Sequence, residues 1–323
     1  MVNQEIKISP NSKQRSAIEH PPAPLMILAG AGTGKTFTLE NRIVYLIKEY
    51  KVDPKHLLAI TYTEKAAKEL KNRVIEKVGA KAHSMTVNTF HAFCYKLLRD
   101  NDFSSKQLLD ESEAVHMFLT RFDELKPFES TEFPLDPQRA ITESFMPFFN
   151  RMRDELIDPE KVKVSQLKDD DTLTNETRQQ LSDLKRIYPL FQSWKEELNV
   201  VDYGDMILSA YQMISTNKSI LKNIQDNYRH IVIDEFQDNN FALNEIVNLI
   251  AGKRNYVTAV GDDDQVIYSF RGANNFNIQA FRERYGDHEK YQSIALETNY
   301  RSNQAILDPV SYTHLRAHET VVH

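Results

Sequence analysis

The chain has 323 residues, 41% of them hydrophobic, with 40 basic against 46 acidic side chains and a net charge of −6. That length and apolar content exclude a disordered or fibrous chain and suit two domains, or one domain with a large insertion. The acidic balance excludes a chain-wide electrostatic footprint for nucleic acid, so any such site must be local, and a single cysteine, Cys94, excludes an internal disulfide.

The opening stretch, MVNQEIKISPNSKQ, has no apolar signal core, and no segment reaches the roughly eighteen apolar residues of a membrane helix. The sequence therefore predicts a cytoplasmic protein with no membrane partner. The first strong element is LMILAGAGTGKTFTL, residues 25–39. Leu25 to Leu28 reads as a short strand and Thr36 onward as a helix, which leaves Ala29 to Lys35 as the turn between them. Gly30, Gly32 and Gly34, with Ala31 and Thr33 between them, let backbone N–H groups converge, and the following helix adds the positive end of its dipole. Such a turn favours phosphate. Lys35 can reach β- and γ-phosphates and the Thr36 hydroxyl can hold Mg²⁺. The first position of the phosphate-loop pattern is Ala29 instead of glycine, and only small size is needed there.

Apolar runs at Leu57–Thr61, Ile231–Asp234, Tyr256–Val260 and Gln292–Leu296 end at polar or glycine-containing turns, and several are followed by helical periodicity. This is the pattern of a parallel sheet covered by helices, with ligands at the carboxyl ends of the strands. From about Gln107 to Leu198 the strands vanish and helical spacing takes over, as in Val115, Phe118, Leu119 and Phe122, and in Leu184, Ile187, Phe191, Trp194 and Leu198. Pro147 and Pro189 are expected to kink or bound these helices, and Lys168–Gln180 to be a solvated loop.

HIVIDEFQDNN places Asp234 and Glu235 at the end of an apolar strand. An acid pair in that position is often merely solvated; beside a phosphate loop it has two tasks. Asp234 can hold Mg²⁺ and Glu235 can orient and deprotonate an attacking water. A third strand and turn, YVTAVGDDDQVIYSFRGA, brings Gln265 toward a γ-phosphate or the water if its strand borders the other two. Tyr268, Phe270 and Arg271 follow, flat side chains beside a cation, which suit unstacked bases at roughly 1–3 kcal/mol per stack; core packing is the plainer use of such aromatics. Asp262–Asp264 reads as a hydrated turn. His314 and His318 have no evident third ligand, so no zinc site is expected there.

In order along about 300 residues, these motifs resemble the first half of superfamily 1A DNA helicases of the UvrD/Rep/PcrA type. NSKQRSAI is similar to the family's Q motif, which implies adenine recognition by Gln14. AGAGTGKT with Arg42 resembles motif I, and AITYTEKAAKEL resembles motif Ia, implying DNA contacts from Thr61, Tyr62 and Thr63. VNTFHAF implies further DNA contacts from Asn88, Thr89, Phe90 and His91. VVDYGDMI, with Asp202 and Asp205, resembles another family segment to which the residues themselves assign no role. DEFQD resembles motif II, GDDDQVIYSFRGA motif III and LETNYRS motif IV, in which Tyr300 would stack on adenine and Arg301 would touch the γ-phosphate. Val266 and Phe270 depart from the family's serine and tryptophan, and Leu243 from its glutamine.

The resemblance implies a P-loop NTPase of RecA-like α/β fold, a parallel sheet with an inserted all-helical subdomain. Its parts are residues 1–104 and 199–310 as one ATPase domain, 105–198 as the insertion corresponding to the family's 1B, and 311–323 as a tail that reads as non-native. The implied activity is ATP- and Mg²⁺-dependent 3′–5′ DNA translocation and unwinding, acting on single-stranded DNA and duplex junctions, with repair or replication proteins as partners. The 323 residues would carry the ATP site and part of the DNA track without unwinding. A nucleotide-gated DNA-binding module, the helicase part of a helicase-nuclease, and a P-loop metabolite kinase are the competing readings.

Overall fold

The computed structural model describes residues 9–101, 106–162, 174–262 and 276–301. Strands β1 (Leu25–Ala29), β2 (Leu57–Thr61), β3 (Thr86–Thr89), β6 (His230–Ile233), β7 (Val257–Gly261) and β8 (Gln292–Leu296) form one sheet in the order β3-β2-β6-β7-β1-β8. Every neighbouring pair is parallel. Register partners such as Leu28↔Gly261, Ile60↔Ile233 and Thr61↔Thr89 put the ends of all these strands on one edge. The turns that carry the motifs therefore share that edge.

The four inner strands, β1, β2, β6 and β7, read as continuous apolar runs because both faces are covered. Leu25 and Ile27 face helices α2 (Lys35–Lys48) and α3 (Glu64–Val78), whereas Met26, Ile231 and Ile233 face the core shared by α4 (Phe90–Arg99), α9 (Tyr203–Thr216) and α11 (Phe241–Ala251). Helix α1 (Ser12–Glu19) packs on α2. Helices α10 (Lys218–Asn227) and α12 (Phe276–Tyr285) complete the second face. Cys94 lies fully buried there, and burial pushes its thiol up to about 12, so it is a packing residue.

A third core is built from α5 (Glu111–Thr120), the π-helical turn Ala140–Phe145 that continues the short α6 (Pro137–Arg139), α7 (Met146–Asp154) and α8 (Asn175–Glu197), around Phe118, Phe145, Phe149, Phe191 and Trp194. The stretch expected to hold no strand is entered and left through two, β4 (Gln107–Leu108) and β5 (Val200–Val201), which pair in parallel. Pro147 follows the π-helical turn Ala140–Phe145, where the helix ladder is already altered, and Pro189 lies inside α8, which runs on through it as one 23-residue helix. Of the polar run Lys168–Gln180 expected as a loop, residues 168–173 lie outside the described residues, and the rest is helical from Asn175, with Thr174 as its cap. Leu119 and Leu198 are 39% and 50% exposed, outside the apolar stripe assigned to them.

Asp202 and Asp205 acquire a role here. Asp202 caps α9, forming a capping box with Asp205, and the two carboxylates receive Arg153 of α7 and Lys195 of α8. Arg153 Nη1 is 2.7 Å from both Asp202 oxygens and 2.8 Å from Asp205 Oδ1. Burial alone would raise the Asp202 carboxyl, but Arg153 and Lys195 outweigh it and hold it well below the usual carboxylate range. The network ties the third core to α9. Nearby, Asn240, the cap of α11, donates to Asp154 Oδ1 at 2.5 Å, a second tie from α7 to the sheet-covering helices.

Candidate functional site

At the end of β1, Gly34 takes φ +88° and starts α2; a Cβ there would be strained and would lie 2.7 Å from Gln14 Nε2. The loop before it is closed on itself, with Thr33 Oγ1 donating to Gly30 O at 2.8 Å. Gln14 is buried, donates to Thr33 O at 3.0 Å and accepts from Asn11 N at 3.1 Å, so its amide braces the phosphate loop from α1. One N–H and one lone pair of that amide remain for a ligand.

The segment after β8 forms the other wall. Tyr300 N donates to Gly32 O at 2.8 Å and Asn299 Nδ2 to Ala31 O at 2.7 Å. Gly32 must be glycine for this approach, because a Cβ would sit 2.7 Å from Asn299 Oδ1. The Tyr300 ring is 59% exposed, and its hydroxyl accepts from Asn11 Nδ2 at 2.7 Å. Its face is available beside the loop.

From β6 come the acids. Asp234 N donates to Ile60 O, and Lys35 Nζ lies 3.0 Å from Glu235 Oε2. Lys35, Thr36, Asp234, Glu235, Tyr300 and Arg301 line one cleft of about 610 Å³, with Thr61 and α3 residues such as Arg73 closing its far side. Desolvation, then the Glu235 charge, raises Asp234 to about 6 against the opposing pull of Lys35. Asp238 is raised to about 6 by the same two causes, and its Oδ1 is buried without a hydrogen-bond partner among the described residues. Asp234 and Thr36 both line the cleft, and a desolvated carboxylate beside a hydroxyl fits a divalent cation. No cage of three or more acidic, His or Cys side chains exists among the described residues, and Mg²⁺ shared with phosphate oxygens does not require one.

Two expected site residues are placed elsewhere. Arg42, assigned to the cofactor, is 1% exposed and donates to the carbonyls of Ile18, His20 and Pro21; it stitches α2 to the chain before β1. Phe90, assigned to DNA, is 8% exposed and packs in the core with Phe93 and Met206, because the first turn of α4 directs it inward. Asp262, read as a turn residue open to water, is buried at the end of β7, where its N–H donates to Gln237 Oε1 at 3.0 Å. Gln265, Tyr268, Phe270 and Arg271, like His314 and His318, lie outside the described residues.

The other expected contacts cluster at the neighbouring ends of β2 and β3. Thr61 is buried against the cleft, Thr63 caps α3 and Thr89 caps α4, so their hydroxyls are engaged by backbone. Tyr62 is 41% exposed, Asn88 half-buried and His91 exposed. Tyr203, which sequence reasoning passed over, stands 48% exposed with its ring edge-on to His91 at 5.0 Å. Gln237 and Asn299 were missed as well; both are uncharged amides, with no signal beyond their place inside DEFQD and LETNYRS.

A parallel sheet with a phosphate loop after β1, and paired acids after β6 on the same cleft, defines a RecA-like P-loop nucleotide-binding domain. The chain belongs to the UvrD/REP helicase N-terminal domain family, whose model matches residues 10–286. It is 33% identical over 306 residues to the ATP-dependent DNA helicase PcrA of Staphylococcus epidermidis, covering 92% of this chain and 39% of the relative. It is likewise 33% identical over 311 residues to DNA helicase II of Rickettsia typhi, covering 96% and 45%. The ATP-dependent DNA helicase UvrD1 of Mycobacterium tuberculosis matches at 33% over 312 residues, covering 92% and 38%. The chain thus spans less than half the length of these relatives. Among the described residues, no helix is long and apolar enough to cross a membrane.

Proposed function

We propose that this chain carries the ATP site and part of the single-stranded DNA track of an ATP-driven 3′–5′ DNA translocase and helicase. Residues 1–104 and 199–310 form its first ATPase domain and 105–198 its helical insertion. The observation that carries the reading is the convergence of Lys35, Thr36, Asp234 and Glu235 on one cleft at the strand ends. Tyr300 offers its face to the adenine, with Gln14 beneath the loop. Lys35 and Arg301 balance charge on the γ-phosphate, and Glu235 receives the proton of a water aligned for in-line attack. Thr36 and Asp234 would hold Mg²⁺, which would neutralise charge on the phosphate oxygens.

Tyr62, Asn88, His91 and Tyr203 form the DNA-facing margin, where stacking and phosphate contacts are independent of base identity. Partners are single strands and duplex junctions. The test is ATP turnover by the purified chain with Mg²⁺, with and without oligo-dT. Turnover that rises with oligo-dT is expected, together with a DNA affinity that falls steeply with salt. Turnover that responds to a small metabolite instead would make this a kinase. DNA binding that changes with nucleotide, without hydrolysis, would favour a nucleotide-gated binding module. The 323 residues alone are expected to leave a forked duplex unopened, and unwinding by them would contradict that part of the reading.

A further inference from the structure

Glu235 sits in an unusual backbone conformation. It lies between β6 and the following turn, in the left-handed region at φ 49°, ψ 48°, a conformation that a non-glycine residue keeps only where its surroundings impose it. Its carbonyl accepts from Asp238 N at 3.0 Å, and three further contacts fix it. Its N–H donates to Asp234 Oδ1 at 3.1 Å, and its Oε2 receives Lys35 Nζ at 3.0 Å and Gln237 Nε2 at 2.8 Å. A triphosphate in the loop competes directly for the lysine ammonium. The glutamine contact is one it does not compete for.

Gln237 is itself firmly placed. It is 2% exposed, and its Oε1 accepts the Asp262 N–H at 3.0 Å at the end of β7. A backbone N–H can only donate, so this bond settles which end of the amide is oxygen and turns Nε2 toward the carboxylate. Asn277 of α12 then fixes the local backbone, donating to Gln237 O at 3.1 Å and to Asn239 O at 2.6 Å. A single side chain spans from the sheet to the acid.

We propose that Gln237 is the positioning residue of Glu235: its amide registers the carboxylate against the end of β7 and keeps it aimed once Lys35 has turned to phosphate. The proposal rests on the reading of Glu235 as the acceptor of the water proton. Two variants separate the ends of the bridge. Gln237→Glu keeps an oxygen for the Asp262 N–H and removes the donor to Glu235, and Gln237→Met fills similar space while removing both.

Hydrogen exchange at the Asp262 amide reads one end, and kcat, KM and the affinity for mant-ATP read the other. Exchange should be unchanged in Gln237→Glu and about tenfold or more faster in Gln237→Met. In both variants kcat should fall roughly tenfold or more, while KM and mant-ATP affinity stay within about threefold. A folded Gln237→Glu with kcat within about twofold of the parent, or a fall in kcat matched by an equal rise in KM, overturns the assignment. If glutamate at 237 costs the fold, as thermal melting would reveal, Gln237→Met carries the kcat-against-KM test. Fast exchange at Asp262 in the parent chain overturns the bridge with no variant at all. A parent that neither binds mant-ATP nor hydrolyses ATP removes the hydrolytic reading and this proposal with it. A parent that hydrolyses ATP beside equally active variants removes the proposal alone.

Discussion

Lys35 and Glu235, 200 residues apart in the chain, hold one another at 3.0 Å across the mouth of the phosphate loop. The pair is partly open to water, so its net worth is about 1 kcal/mol or less, and a triphosphate displaces it cheaply. Glu235→Gln removes the charge at constant shape and is expected to tighten mant-ATP binding by up to about fivefold. Turnover should fall by roughly two orders of magnitude or more. Lys35→Ala is expected to loosen binding by about tenfold or more, as a lost charge-assisted phosphate contact requires. A fluorescence titration beside a phosphate-release assay checks all three; a Glu235→Gln chain that hydrolyses like its parent would take Glu235 out of the reaction.

Arg153 is expected to be the most costly single charge to remove. Arg153→Met leaves Asp202 and Asp205 facing Lys195 alone in a buried setting. Breaking such a network from one side costs about 3–5 kcal/mol. Urea unfolding followed by circular dichroism measures it, and a loss under about 1 kcal/mol would mean that water already screens the cluster.

Asp154 gives the fold a pH dependence of opposite sign to the usual carboxylate. Desolvation raises its carboxyl to about 7, with Arg153 pulling the other way. Because the folded value lies above the unfolded one, the protonated form favours folding. Its stabilisation is full below about 4 and is lost as pH rises through about 7. Asp154→Asn keeps an oxygen for the Asn240 amide and removes the charge. It is expected to raise the melting temperature at pH 8 and to do so progressively less toward pH 4; an equal gain at both ends would assign the effect to packing.

Tyr203 and Phe90 should part company. Tyr203→Ala is expected to weaken oligo-dT binding by about 1–3 kcal/mol with little change in melting temperature, since its ring is nearly half exposed. Phe90→Ala, by contrast, opens a cavity in the core and should cost about 3–5 kcal/mol of stability. Fluorescence anisotropy and thermal melting on the same two samples decide between groove and core for each ring.

What could be read from the letters follows from how parallel sheets are built. Strands buried on both faces announce themselves as unbroken apolar runs, so β1, β2, β6 and β7 stood out to within a residue or so at either end, and edge strand β8 did so through its apolar second half, Ile294–Leu296. Strand β3, Thr-Val-Asn-Thr at the sheet edge, carries no such run and passed unnoticed. Helix α8 begins inside a polar stretch because its first turns are held by Glu176 bonding to Ser130 and Thr131, a pairing across 46 residues that no local pattern reveals. Motif membership named Arg42 and Phe90, but which way a side chain leaves its helix depends on the neighbours it packs against. The amides of Gln237 and Asn299 matter through geometry alone, which spacing along a chain does not encode.

The pairing of Gln107–Leu108 with Val200–Val201 has a consequence for how the molecule could be rebuilt. The long helical excursion departs and returns through a single doorway, two threads lying side by side. Because the two threads run in the same direction, rejoining the chain after removing the excursion takes a crossover and not a tight turn. Two bolts secure it: Arg153 and Lys195, seated on the first turn of the helix beside that doorway, and Asp154, joined to Asn240.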